Sequence, residues 1–400
     1  MKRFDFYLFS LFLFMVVNDI FDTYTTQLPN AIGSFIIAEF SIDVSLLSFM
    51  VSIASIGMYF VFINQFLADI IGRKKMLFIV LLGMGVSSFL LGFSPSLEIY
   101  TLFLFFLYIF FSSDVWVLMM NEECPDNKRG LFTNLVLVFG VIGALFIIIF
   151  RETLIPVFGW RSMTWFAILA IPLAFLTFFF RESKKFEEYI KYKGDKPSKS
   201  IWLKLRKVFT HKERKPFFII FLTSFLLGLT YILFALGEPY FALTKGYTTT
   251  DVSTLILMMG LGAILGYLIT AFLLDHIGRK PTIYLYLSLI FLSVLLIVFG
   301  NYAMVFISVI IFSAFFWGLS VALRIVTIEL FPTDIRGVGT GIRAFFFAFG
   351  FTTGSISSGL LSPFIGLGGV FLAVSAIALI IIPLIFFFIK ETKGIPLELT

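Results

Sequence analysis

Twelve apolar windows, each about as long as a bilayer-crossing helix, succeed one another along this chain with charge, Gly or Pro between them. They fall near residues 6–35, 45–70, 76–94, 99–121, 131–150, 160–180, 216–242, 251–274, 281–300, 302–329, 338–362 and 366–389. A soluble domain has no room to bury so many such segments. In lipid, a helix satisfies all of its own backbone N–H and C=O groups, which is why long apolar runs there are helical. Composition agrees: 60% of the 400 residues are hydrophobic and 14% charged, against about 25% charged in soluble domains. A soluble enzyme, a secreted disulfide scaffold and a disordered chain are excluded. The expected fold is all-α, a polytopic membrane protein of twelve transmembrane helices.

Charge is placed as sharply as hydrophobicity. Residues 181–215 carry Arg181, Lys184, Lys185, Lys191, Lys193, Lys196, Lys199, Lys204, Arg206, Lys207, Lys212, Arg214 and Lys215, a basic linker between an N-terminal half (1–180) and a C-terminal half (216–400). Part of it, near Ile201–Phe209, has the spacing of an amphipathic helix that lies on a membrane surface. With the linker and both termini in the cytoplasm, only Arg151, Arg161 and Lys245 of the 30 Lys/Arg fall in outer loops, as the positive-inside rule requires. The net charge of +6 is therefore topological and no sign of nucleic-acid binding. The one cysteine, Cys124, has no partner for an internal disulfide. The first apolar run is interrupted by Asn18, Asp19 and Asp22, so it reads as a retained helix and not a cleaved signal.

The halves repeat. Asp69-Ile-Ile-Gly72-Arg73-Lys74 follows the second window and Asp275-His-Ile-Gly278-Arg279-Lys280 the eighth, an offset of 206 residues. Glu122-x-x-Pro-x-x-x-Arg129-Gly follows the fourth and Glu329-x-x-Pro-x-x-x-Arg336-Gly the tenth, an offset of 207. Two motifs in one register mean two copies that enter the membrane from the same side. Parallel repeats of this sort place a substrate site at their interface.

D-x-x-G-R-K after windows two and eight, with E-x-x-P-x-x-x-R-G after four and ten, resembles the major facilitator superfamily of secondary transporters over essentially the whole chain. Asp19-Ile-Phe-Asp22 resembles the D-G-[FY]-D signature of aromatic-acid and related metabolite:proton symporters. Glu391-Thr-Lys-Gly394 with Leu397-Glu398 resembles the sugar-porter tail. The resemblance implies two pseudo-symmetric six-helix bundles and transport by alternating access, working as a monomer, with no enzymatic activity. Together with the repeat it assigns Asp69, Gly72, Arg73, Lys74, Glu122, Arg129, Asp275, Gly278, Arg279, Lys280, Glu329 and Arg336 to gating loops, with Glu182 and Glu391 as partners in their charge networks.

The acids inside windows carry a sharper reading. Asp19 lies roughly 20 Å into the first helix and Asp114 roughly 12 Å from the end of the fourth. An acid at that depth costs about 2.5–3.5 kcal/mol on insertion scales, so such groups face water or partners. Asp19 and Asp22, three apart, share one helix face with Asn18 nearby. Desolvation raises a carboxyl pKa and lets it carry a proton. His211 and His276 lie at the edges, so an intramembrane proton carrier must be a carboxylate. In the C-terminal half, Trp317 and Arg324 share a stripe on window ten, and Tyr231 and Glu238 one on window seven, where Pro239 is expected to break the helix. A nucleotide loop and a His/Cys metal cluster are both missing from the sequence, so no cofactor beyond a coupling proton is expected. The expected partners are a small organic solute, protons and the bilayer. Proton-coupled symport is the leading reading. An exporter of organic cations, a sugar porter and a non-transporting sensor on the same scaffold are the alternatives.

Overall fold

The computed structural model describes residues 6–110, 115–124, 129–183, 186–187, 201–210, 214–331, 336–388 and 391, and all of its regular structure is helical. Among these residues, ten helices are long and apolar enough to span a bilayer, and Gly33–Phe40 with Val44–Phe60, bent by 114°, meet the same test as a pair. The last run, Val338–Phe388, has 51 residues. At 1.5 Å per residue it is about 77 Å long, more than twice the ~30 Å hydrocarbon core. It turns at Gly366, whose φ of 69° and ψ of 164° a side chain would resist. Two helices of spanning length therefore share that run.

Two boundaries differ from the sequence reading. The first helix ends at Gln27, not near 35, because Pro29 interrupts the ladder and a short Pro29–Ala31 turn hands over to Gly33–Phe40. On the seventh span the break comes at Tyr231, between Arg214–Thr230 and Ile232–Pro239. Pro239 does not end the helix there. A wider π turn, Tyr240–Thr244, absorbs the missing N–H and carries the helix on.

Local signals explain several ends. Thr248 caps Thr249–His276 by accepting from Asp251 N at 3.2 Å, while Asp251 Oδ2 accepts from Thr248 N at 3.0 Å. Asn301 Oδ1 accepts from Met304 N at 3.0 Å at the start of Tyr302–Leu330.

The chain divides into two compact units, Met1–Ser41 with Ile53–Lys196, and Ile42–Ser52 with Pro197–Thr400. Lipid tails are as apolar as leucine, so helices inside each unit associate by close packing at small residues. In the second unit a Cβ on Gly350 would strike the Phe225 carbonyl, and one on Gly266 the Ala314 carbonyl. Those contacts draw Arg214–Thr230 against Arg336–Ala378, and Thr249–His276 against Tyr302–Leu330. In the first unit Gly143 abuts the Ile20 carbonyl in the same manner.

Candidate functional site

Both D-x-x-G-R-K loops fold into the same cluster. Gly72 and Gly278 take φ of 105° and 96°, which reverses the chain between consecutive helices. A side chain is excluded there for a second reason: a Cβ on Gly72 would collide with the Glu182 carboxylate, and one on Gly278 would lie 2.9 Å from Glu391 Oε2. Those carboxylates occupy the space above two helix N-termini. Glu182 Oε1 accepts from Arg73 N at 3.0 Å and Lys74 N at 3.2 Å. Glu391 accepts from Arg279 N at 2.9 Å and Lys280 N at 3.0 Å. An anion at the positive end of a helix satisfies donors that have no partner within the helix and is favoured by the dipole.

The arginines complete each cluster. Arg73 Nη2 donates to Glu122 Oε1 at 3.2 Å, and Arg279 Nη2 to Glu329 Oε1 at 2.6 Å. Their other arms reach back to the preceding helices, Arg73 Nη1 to Ala68 O and Arg279 Nη1 to Leu274 O, each at 3.0 Å. Lys74 Nζ donates to Phe178 O and Lys280 Nζ to Phe386 O, again both at 3.0 Å. The repeat thus extends from sequence to individual hydrogen bonds. Side-chain exposure is 11–18% for all four members of the two Arg–Glu pairs, so these are mostly desolvated ion pairs and breaking one costs more than losing a surface bridge. The side chains of Asp69, Asp275, Arg129 and Arg336 lie outside the described residues, as does Asp114 altogether.

The N-terminal unit holds the paired acids on Phe6–Gln27, a helix with no other charged residue. Asn18 and Asp19 are buried and Asp22 half-buried. The Asp19 carboxylate occupies the space beside Gly140 where a Cβ would stand, so this glycine makes room for the acid on Arg129–Gly140. One turn on, Thr26 Oγ1 donates to the Asp22 carbonyl at 2.7 Å. Nothing in the sequence pattern marks Gly140, because its role appears only once the helices are side by side.

In the second unit Tyr231 and Trp317 belong to one aromatic cluster. Phe234 lies between them, its ring 5.4 Å from Tyr231 and 5.9 Å from Trp317. Phe351 meets the Tyr231 ring edge-on at 4.9 Å, and Tyr267 stands 6.3 Å from Trp317. Tyr231 is buried while Trp317 and Tyr267 are only half-buried. Glu238, seven residues after Tyr231, is buried, and Arg324 is half-buried. Thr223 and Thr230 spend their hydroxyls on Ile219 O and Leu227 O of their own helix.

One expectation is overturned. Arg151 is not an outer-loop residue: it lies in the last turn of Ile142–Thr153 and is 1% exposed. It donates to the Ala31 carbonyl and stands 5.0 Å over the Phe35 ring. The break after Pro29 interrupts the helical ladder, and the guanidinium takes up a carbonyl there. Arg161, by contrast, pairs with Glu39 and donates to Ser94 O at 2.8 Å, and Trp160 Nε1 donates to the same Glu39.

Known proteins resemble this chain in sequence and in fold. A putative niacin/nicotinamide transporter, NiaP of Bacillus subtilis, is 27% identical over 382 residues, 91% of this chain and 92% of that protein. The sialic acid transporter NanX of Escherichia coli is 27% identical over 335 residues, 80% of this chain and 79% of its own. Among solved structures, the inward-open xylose transporter XylE from E. coli matches with a TM-score of 0.75 at 17% identity, over 98% of this chain and 99% of that one. The nucleoside transporter NupG, in the crystal structure of a point mutant, matches with a TM-score of 0.77 at 14% identity, over 95% and 100%. The sequence family described as Major Facilitator Superfamily matches residues 7–323 and 220–398. This chain belongs to the major facilitator superfamily: it is a multi-pass membrane transport protein of the all-α facilitator fold, and no enzyme.

Proposed function

We propose that the chain is a proton-coupled symporter of a small organic metabolite, working as a monomer by alternating access, with both termini and the linker in the cytoplasm. The observation that carries this reading is the Asp19–Asp22 pair. A carboxylate is buried in an otherwise uncharged apolar helix, and the neighbouring helix supplies a glycine where any side chain would displace it. A structural polar contact does not need an ionisable group at about 2.5–3.5 kcal/mol of insertion cost, whereas a proton carrier does. The names of the relatives, niacin/nicotinamide and sialic acid transporters, support a small metabolite as the solute. The sugar-porter alternative is disfavoured by the seventh span, which carries no Asn or Gln over 216–242 to hold a sugar's hydroxyls. On this reading the two Arg–Glu clusters are gates, broken and remade as the carrier cycles.

The test is counterflow in proteoliposomes with pooled metabolites, which identifies the solute, followed by Asp22→Asn. Asn imitates the protonated acid, so the loaded carrier still reorients and exchange between equal pools persists. Return of the empty carrier requires proton release, so uphill, pH-driven uptake is lost. Full pH-driven accumulation by Asp22→Asn would sink the assignment and favour a cation substrate. No exchanging solute at all would favour the sensor.

A further inference from the structure

Beside the start of the seventh span, the second unit holds an apolar groove of about 470 Å³, within the range of about 300–1,000 Å³ typical of small-molecule sites. One wall is helix Ile201–Thr210, through Val208 and Phe209, and another is the last span, through Leu384 and Phe388. Phe218 and Leu222 of the seventh span form the floor. Nine of the ten lining side chains are apolar, and the tenth, Lys215, is exposed with its ammonium 5.9 Å over the Phe388 ring.

The wall helix is itself interfacial in character. Val208 is buried in a cluster with Phe217 and Phe331, which anchors the helix to the unit. Leu203 and Phe209 are more than half exposed beside exposed Arg206 and Lys207. A helix with an apolar side seated on the unit and cations on its exposed side suits the headgroup region. We propose that the groove binds one anionic phospholipid, an acyl chain running over Phe218 and Leu222 and the headgroup phosphate on Lys215. Charge complementarity selects this occupant: the polar group at the mouth is a cation, the basic linker continues from it, and the interior offers nothing polar to pair with a peptide or a soluble metabolite. Basic pockets between helices at a membrane surface recognise lipid headgroups in this way. The proposal needs only that the chain is embedded in a bilayer and is independent of its substrate and coupling.

The experiment is native mass spectrometry of the delipidated full-length protein in detergent, titrated with phosphatidylglycerol or phosphatidylcholine of identical chains. Phosphatidylglycerol is expected to be retained about fivefold over phosphatidylcholine, the worth of one lysine beside an anionic headgroup. Lys215→Ala should abolish that preference and Lys215→Arg keep it. Leu384→Trp, which fills the groove, should reduce retention of both lipids. Equal preference in the wild type and Lys215→Ala would overturn the proposal, as would unchanged retention by Leu384→Trp. A dimer that Leu384→Trp dissociates would give the groove to a second copy, and that too would overturn it.

Discussion

Replacing Gly278 with alanine tests the reading of the paired loops most directly. Its backbone sits at φ 96° and ψ 173°, a region that L-residues enter only at about 1–3 kcal/mol. The new Cβ would stand 2.9 Å from Glu391 Oε2 and 3.0 Å from its Cδ, so the carboxylate must move. It is held by Arg279 N and Lys280 N at 2.9 and 3.0 Å, and any retreat lengthens both bonds. Hydrogen bonds to a charged group are worth about 1.5–3 kcal/mol each, and losing a part of two adds to the strain. The combined cost is about 2–4 kcal/mol. Gly366→Ala is the control: its backbone sits at φ 69° and ψ 164°, yet nothing lies within 4 Å of its Cβ, so it bears the backbone cost alone. Stability is read from unfolding of the purified protein by titrated dodecyl sulfate, followed by loss of helical circular dichroism. Gly278→Ala should fall below Gly366→Ala, and removing the carboxylate with Glu391→Ala should make the two glycine substitutions cost the same. If Gly278→Ala is no worse than the control, the carboxylate does not hold the helix start and the account of the loop is wrong.

Two further outcomes follow from the packing. Arg151→Ala should destabilise the first unit by about 2–4 kcal/mol, since it removes a charge-assisted hydrogen bond to Ala31 and leaves a cavity beside Phe35. The same denaturant titration reads it, and a loss under ~0.5 kcal/mol, ordinary for a surface change, would mean the guanidinium is in fact solvated. Gly350→Val should cost about 1–3 kcal/mol or more, because its side chain meets the Phe225 carbonyl and forces two helices apart. Monodisperse, wild-type-stable Gly350→Val would show that this close approach is not needed.

Much of the architecture is legible in the chain because lipid leaves few choices. A run of some twenty apolar residues becomes a helix whatever its neighbours do, since its backbone must satisfy itself. Charge bias and the repeats of Gly72-Arg73-Lys74 at Gly278-Arg279-Lys280 then order the helices without any knowledge of packing. Even Glu182 and Glu391, which close the two clusters, can be picked out by their matching places in the halves. What pattern could not reach depends on which atoms meet after the helices assemble. Arg151 reads as a loop cation until the break after Pro29 offers it a carbonyl. Gly140 is an unremarked small residue until Asp19 fills the space beside it. The 56 phenylalanines look uniform, yet Phe234 joins Tyr231 to Trp317 while Phe388 walls an apolar groove. Local hydrophobicity is set by each residue and its near neighbours along the chain, so the sequence determines spans and their order. Burial, close approach and pairing are set by residues tens to more than a hundred positions apart, and only the tertiary structure decides them.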